Sequence, residues 1–106
     1  MPRPCKKRRI CAMPHTRHFG PKDSQKLHSA TVIMSMDEYE CIRLIDLEAM
    51  TQEQCAAQMQ VARTTVQAIY TSARKKLARC LVNEEELRIE GGDVFFCEGR
   101  SQTPCA

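Results

Sequence analysis

The sequence predicts a mainly α fold: a three-helix core of helix-turn-helix type, with a basic N-terminal arm and a small C-terminal β-hairpin. Three observations support this prediction. Residues 51–81 contain a short capped helix, a turn and a longer amphipathic helix. Another capped helix precedes them, starting near residue 36. Positive charge is concentrated in residues 1–28 and 63–82, as expected for a protein that binds nucleic acid.

The length of 106 residues suits one domain with tails. We divide the chain into a basic N-terminal arm and loop at 1–31, a helix-turn-helix domain at 32–83, and a C-terminal hairpin and tail at 84–106. No apolar run approaches the length of a membrane span, and no apolar segment of a signal peptide follows the basic N-terminus. We therefore expect a cytoplasmic protein with no membrane partner.

The N-terminal arm, residues 1–10, contains two prolines that disfavour a helix. Its five cations are predicted to contact the DNA backbone, as the arms of other DNA-binding domains do. They are Arg3, Lys6, Lys7, Arg8 and Arg9. The alternative interpretation is a solubilising tail.

Seven cysteines without a C-x-x-C pair indicate a reduced chain that has no disulfide framework. Cys11, His15 and His18 have a C-x3-H-x2-H spacing that can supply three metal ligands. A fourth ligand would have to come from a distant cysteine: Cys5, Cys97 or Cys105. We therefore interpret this stretch as a loop and predict no metal and no cofactor. A metal- or redox-responsive regulator that uses these residues remains an alternative.

The first predicted helix runs from about residue 36 to residue 48. Ser35 and Glu38 have the spacing of a capping box, in which each side chain bonds the backbone amide of the other residue. The acidic residues in the first turn suit the helix dipole but disfavour contact with phosphates. We expect this helix to support the fold and not to touch DNA.

The second predicted helix begins with another capping box, formed by Thr51 and Gln54. Its apolar pattern stops at Gln60, which we assign to the turn before the third helix.

The third helix is predicted to be the recognition helix. Its apolar stripe has the i, i+3, i+4, i+7 period of a buried helix face and consists of Val66, Ile69, Tyr70, Ala73, Leu77 and Cys80. Small and hydrogen-bonding residues are predicted to face DNA bases: Thr64, Thr65, Gln67, Ala68 and Thr71. Three cations are predicted to hold phosphates or a guanine: Arg63, Arg74 and Lys75. The simpler alternative is a solvated amphipathic helix.

The C-terminal segment is predicted to form a β-hairpin. Residues 87–90 alternate apolar and charged side chains, Gly91 and Gly92 supply a turn, and residues 94–96 are apolar.

Several stretches of the chain resemble the uncharacterised protein family 0251 (domain of unknown function 134). They are the opening MPRP with its basic cluster, the run MDEYECIRLIDLEAMTQEQCAAQMQVARTTVQAIYTSARKKLARCLV, and LRIEGG. The resemblance implies a helix-turn-helix similar to sigma factor region 4, and DNA binding. Gln60 and Ala62 depart from the family's turn pattern, which has Gly and Ser there. Each departure is expected to cost about 1 kcal/mol of stability.

These features together predict a sequence-specific DNA-binding protein, a transcriptional regulator that inserts the helix starting near Arg63 into the major groove. Because one small module buries little surface, we expect tight binding to double-stranded DNA to require a homodimer or a partner such as RNA polymerase. The alternative from another class is a protein-interaction module that uses the same helix. Paired carboxylates, an activated nucleophile and a phosphate loop are missing from the sequence pattern, so we predict no enzyme.

Overall fold

The computed structural model describes residues 7–22 and 30–96. These residues contain three α-helices. Helix α1 spans Met36–Cys41 and continues as a π-helical turn over Ile42–Leu47. Helix α2 spans Gln52–Met59, and helix α3 spans Arg63–Asn83. The predicted mainly α class with three helices is confirmed for the described residues.

Both predicted capping boxes are present. The Ser35 hydroxyl accepts from the Glu38 amide at 3.4 Å, and Glu38 Oε1 accepts from the Ser35 amide at 2.9 Å. Thr51 and Gln54 make the same reciprocal pair at 3.0 and 2.9 Å. The caps satisfy amides that have no partner within the helix, which fixes where α1 and α2 begin.

The first helix ends differently from the prediction, because its last turns widen. The Glu48 amide bonds the Arg43 carbonyl at 3.0 Å, five residues back, and Ala49 then takes a left-handed conformation with φ 62°. Such π-helical turns are short departures from α geometry. The sequence pattern sets the start of this helix correctly and misses its change of pitch.

The turn between α2 and α3 has the conformation that the Gly and Ser of the family pattern imply, although Gln60 and Ala62 occupy those positions. Gln60 lies in the left-handed region with φ 62° and ψ 44°. The Val61 amide bonds the Ala56 carbonyl at 3.1 Å, which closes the end of α2 as in a Schellman motif. Ala62 is the N-cap of α3 and provides no side-chain cap.

Within the described ranges, five short strands surround the helices: β1 (Arg8–Ile10), β2 (His18–Phe19), β3 (Thr31–Met34), β4 (Glu86–Ile89) and β5 (Val94–Phe96). Strand β4 is central in a three-stranded sheet, antiparallel to β2 and parallel to β3. Strands β1 and β5 form a separate parallel pair.

The predicted C-terminal β-hairpin is wrong, because β4 and β5 belong to different sheets. Both edges of β4 are already paired, so β5 cannot join it. Gly91 and Gly92 have φ of 82° and 107°, and they lead the chain past the start of α1. There the Met36 amide donates to the Gly91 carbonyl at 2.9 Å.

Two buried clusters hold these elements together. The first contains Ile10, Val32, Met34, Met36, Ala73, Leu87 and Ile89. The second contains Cys41, Leu44, Cys55, Ala56, Met59, Val66 and Ile69. The first cluster combines side chains from all three segments into which we divided the chain. Strands β3 and β4 pack against α3, whereas β1 packs against α1 and α2. The boundaries of these segments stay a prediction.

We predict that Gly92→Ala destabilises the fold more than Gly91→Ala. Both positions have positive φ, which costs a residue with a Cβ atom about 1–2 kcal/mol. A Cβ at Gly92 would also lie 2.9 Å from Asp37 Oδ1 and 3.1 Å from Ser35 Cβ, whereas nothing lies within 4 Å at Gly91. Urea unfolding of both variants measures the difference. Equal losses of unfolding free energy in the two variants would show that a Cβ at position 92 does not clash with the start of α1.

Candidate nucleic-acid interface

Helix α3 presents one exposed polar face to solvent. Thr64, Gln67, Ala68, Thr71 and Lys75 are exposed, and with Ser72 they line a shallow depression of about 540 Å³. The opposite side of the helix is buried through Val66, Ile69 and Ala73, while Tyr70, Leu77 and Cys80 are half-buried. The predicted division of this helix into an apolar stripe and a polar face is therefore confirmed. We call the five exposed residues of the depression the outer face of α3.

Thr65 lies beside this face and is half-buried. Its amide donates to the Ala62 carbonyl at 3.0 Å in the first turn of α3. Thr65 is thus less accessible than Thr64, although both were predicted to face DNA bases.

The three cations predicted to bind phosphates differ in their partners. Arg63 Nη1 donates to Gln52 Oε1 at 3.3 Å. Arg74 Nε lies 3.6 Å from Asp46 Oδ2. Lys75 has no ion-pair partner among the residues that the structure describes, so it is the most available of the three.

Arg74 belongs to a small cluster at the edge of the outer face. Its guanidinium lies 5.5 Å from the centroid of the Tyr70 ring, and the Tyr70 hydroxyl donates to Asp46 Oδ1 at 2.7 Å. The hydrogen bond to Asp46 raises the pKa of Tyr70. Because Asp46 engages both side chains, it ties the end of α1 to the middle of α3.

The position of α3 is fixed by the Glu38 carboxylate, which is nearly buried. Ser72 Oγ donates to Glu38 Oε2 at 2.5 Å, and Lys76 Nζ donates to Glu38 Oε1 at 2.7 Å. The lysine also donates to the Ile33 carbonyl at 2.7 Å. We call Glu38, Ser72 and Lys76 the carboxylate clamp.

Burial alone would raise the pKa of Glu38, but the hydrogen bonds from Lys76, Ser72 and the Ser35 amide outweigh burial and lower it. The sequence pattern assigns Glu38 only to the cap of the first helix and does not pair it with Lys76. The i, i+4 spacing of Ser72 and Lys76 puts both on one side of α3, but their meeting with Glu38 is a tertiary contact.

The basic arm is only partly free. Lys7 is exposed, whereas Arg8 and Arg9 are half-buried in β1, which packs against α1 and α2. Arg8 lies between two carboxylates, at 3.8 Å from Asp37 Oδ2 and 3.7 Å from Asp93 Oδ2. Arg8 is therefore neutralised within the fold. The other two cations of the arm, Arg3 and Lys6, lie outside the described residues.

Cys11, His15 and His18, the possible metal ligands of the predicted loop, do not form a metal site with other described residues. Cys11 is disulfide-bonded, so the prediction of a fully reduced chain is wrong. His18 Nε2 accepts from Arg88 Nε at 2.9 Å, and His15 is exposed. Residues 7–22 and 30–96 contain no group of three His, Cys, Asp or Glu side chains that could hold an ion. Cys5, Cys97 and Cys105 lie outside the described residues.

An apolar groove of about 520 Å³ lies behind α3, between its C-terminal half and the three-stranded sheet. Its lining includes Phe19, Tyr39, Leu77, Leu81 and Leu87. At its edge, Leu81 and Val82 are 80% and 79% exposed, which is unusual for two adjacent aliphatic residues.

In the described part of the chain, no helix combines the length and apolar character that crossing a membrane requires.

Comparisons with known proteins identify relatives along most of the chain. The family described as "Protein of unknown function DUF134" matches residues 1–96. A UPF0251 protein of Desulfitobacterium hafniense is 57% identical over 99 residues, which cover 93% of this chain and 79% of the relative. A UPF0251 protein of Halothermothrix orenii is 46% identical, with 88% and 69% covered.

A longer relative, the UPF0251 protein of Chlorobaculum tepidum, is 42% identical over 100% of this chain but 54% of its own length. No solved structure matches the chain. These names specify a family and no activity, so function has to be argued from the site.

We predict that Glu38→Gln lowers the free energy of unfolding by about 1–3 kcal/mol at neutral pH, because it leaves Lys76 without its carboxylate. Because glutamine can still complete the capping box, the lost stability can be attributed to the carboxylate clamp. The folded-state pKa of Glu38 is below 4.5, its ordinary value, so the clamp is fully present above pH 4.5 and is lost as the pH falls through the lower value. The two proteins should converge in stability in acid.

The control for this prediction is Glu53→Gln, which removes an exposed carboxylate from the first turn of α2. Denaturant unfolding at several pH values provides the measurement. A Glu38→Gln loss that stays constant down to pH 3 would contradict the ionic clamp.

Proposed function

The chain belongs to the DUF134 family, whose members are also named UPF0251 proteins, and we propose that it is a sequence-specific DNA-binding transcriptional regulator. The observation that carries this proposal is the outer face of α3. It exposes two threonines, a glutamine, an alanine and a lysine in one row along a rigid helix. An α-helix of this kind fits the major groove of B-DNA.

The chemistry of the outer face suits contact with base edges. Ala68 and Thr64 are small enough to let the helix backbone approach the bases. Gln67 can donate to and accept from an adenine, and the methyl groups of Thr64 and Thr71 can meet a thymine methyl group. Thr65 would contribute only from the margin, since it is half-buried.

Cations at both ends of this row suit the DNA backbone. Lys75 is available without breaking an ion pair in the described part of the chain. Arg63 and Arg74 would exchange Gln52 and Asp46 for phosphates, and both replaced contacts lie at the surface, where such interactions contribute little. Lys7 is exposed and can extend the contact from the N-terminal arm.

We assign the helical core to the sigma region 4 type of helix-turn-helix. The short α2, the tight turn at Gln60 and the long α3 support the assignment, as does the motif resemblance along residues 36–82. In this arrangement α1 supports α3 through the carboxylate clamp and is kept from DNA by its acidic residues. A DNA-binding role would place the protein in the cytoplasm.

We further propose that a second copy of the chain binds beside the C-terminal end of α3. Leu81 and Val82 are mostly exposed there, and they adjoin the apolar groove. Pairing two copies would double the area in contact with DNA. A single small module buries too little surface to bind tightly on its own. RNA polymerase is the other partner that the sigma-like core suggests, and a protein-interaction module would bind it through the outer face of α3 instead of DNA.

We predict that Lys75→Ala weakens binding to a duplex recovered by selection from random sequences. It should also make the dependence of log affinity on log salt shallower by about 0.9, the loss of one phosphate contact. Fluorescence anisotropy at several salt concentrations measures both quantities. Arg17→Ala is the control, because it removes the same charge from an exposed residue next to β2 that is not part of the outer face of α3.

Equal effects of these two substitutions would mean that the affinity for DNA depends only on the net charge of the protein. Failure to recover any motif, together with binding to RNA polymerase that Lys75→Ala weakens, would favour the interaction module.

We predict that Leu81→Ser combined with Val82→Ser makes the protein monomeric without unfolding it, because neither side chain contributes to the buried clusters. Analytical ultracentrifugation measures the mass, and far-ultraviolet circular dichroism checks the helices. Thr71→Ser, on the outer face, should leave the mass unchanged. A monomeric wild-type protein at micromolar concentration would contradict the second copy.

A further inference from the structure

Three sulfur atoms meet inside the helical core, at a site separate from the outer face of α3. Cys41 ends α1, while Cys55 and Met59 lie one turn apart on α2. Met59 Sδ lies 3.7 Å from Cys41 Sγ and 3.6 Å from Cys55 Sγ. Both cysteines are free thiols, and all three residues have zero exposed area. We call Cys41, Cys55 and Met59 the sulfur trio.

We propose that the sulfur trio is a binding site for a soft monovalent metal ion of the Cu(I) class. Two thiols and a thioether form an all-sulfur ligand set, which soft cations prefer over the oxygen and nitrogen ligands that hard cations need. The surroundings in the second cluster are aliphatic and include Leu44, Val66 and Ile69. No oxygen ligand or water is required for an ion that accepts two or three sulfur atoms.

The spacing of the sulfur atoms supports a three-coordinate ion. With metal–sulfur bonds of about 2.3 Å, sulfur atoms in a trigonal plane around an ion lie about 4 Å apart. The two separations of 3.7 and 3.6 Å are only a few tenths of an ångström shorter. A small outward shift of side chains, without a change of the helices, would therefore make room for the ion.

The proton and charge balance of binding follows from the two thiols and the thioether, both thiols being directed at Met59 Sδ. Binding forms two metal–thiolate bonds and one metal–thioether bond, and it releases one proton from each thiol.

The number and charge of the ligands limit which ion fits. A monovalent ion on two thiolates leaves one negative charge in the core. A divalent ion such as zinc prefers four ligands in a tetrahedron, and the trio supplies three. The ligand number and the all-sulfur set therefore favour the monovalent ion.

Burial makes entry of the ion depend on local opening. Cys41 lies on α1 and the other two ligands lie on α2, so α2 has to move away from α1 before the ion can enter. The bound ion would then join the two helices. It should raise the unfolding temperature and slow hydrogen exchange of the α2 amides.

The test uses the whole chain, freshly reduced without a thiol reagent and kept free of oxygen. Cu(I) is titrated in competition with bicinchoninate, and native mass spectrometry counts bound ions. The wild type should bind one more Cu(I) than the variant with Cys41→Ala and Cys55→Ala. X-ray absorption of the one-ion protein should show only sulfur neighbours. Cys80→Ala, which removes a half-buried cysteine of α3 outside the trio, should bind like the wild type.

Met59→Leu keeps both thiols and the size of the side chain, so it separates the thioether from any effect on folding. It should weaken Cu(I) binding at least about tenfold, which corresponds to about 1.4 kcal/mol. Equal Cu(I) stoichiometry in the wild type and the double cysteine variant, or unchanged affinity in Met59→Leu, would overturn the proposal and leave the trio as core packing. If the double variant does not fold, the Met59→Leu comparison decides alone.

Discussion

The arrangement of the helices depends on one nearly buried carboxylate. Glu38 caps α1 through the Ser35 amide and receives hydrogen bonds from Ser72 and Lys76 of α3. A carboxylate removed from water is stable only when such partners surround it. One side chain therefore connects the start of α1 to the middle of α3 and, together with the buried stripe of α3, keeps the outer face toward solvent.

This clamp also gives two adjacent lysines different surroundings. Lys76 turns inward to Glu38 and to the Ile33 carbonyl, while Lys75 lies on the outer face. The difference follows from helix geometry, because neighbouring residues point about 100° apart. The number of cations along α3 therefore overstates the positive charge that is available to an anion: Lys76 is paired with Glu38 and Arg79 with Glu85, at 2.7 Å each. The proposed contact with phosphates depends on the cations that remain, above all Lys75.

Features set by local interactions were predictable from the sequence, and features set by distant pairings were not. The caps at Ser35 and Thr51, the turn at Gln60 and the faces of α3 follow from spacings within a few residues. The hairpin failed because strand pairing is decided by competition for edges, and β2 and β3 occupy both edges of β4. The pairs of Arg8 with Asp37 and of Glu38 with Lys76 join residues more than 25 positions apart, which no local pattern indicates.

The turn between α2 and α3 explains why packing around the sulfur trio matters for the outer face. Gln60 adopts a left-handed conformation without being glycine, and Ala62 leaves α3 without a side-chain cap; each costs about 1 kcal/mol. The turn itself therefore positions α2 weakly. The packing of Cys55 and Met59 against Cys41 therefore has to provide the stability that the turn does not. An ion bound by these three sulfur atoms would strengthen the very contact that orders α2 beside the proposed recognition helix.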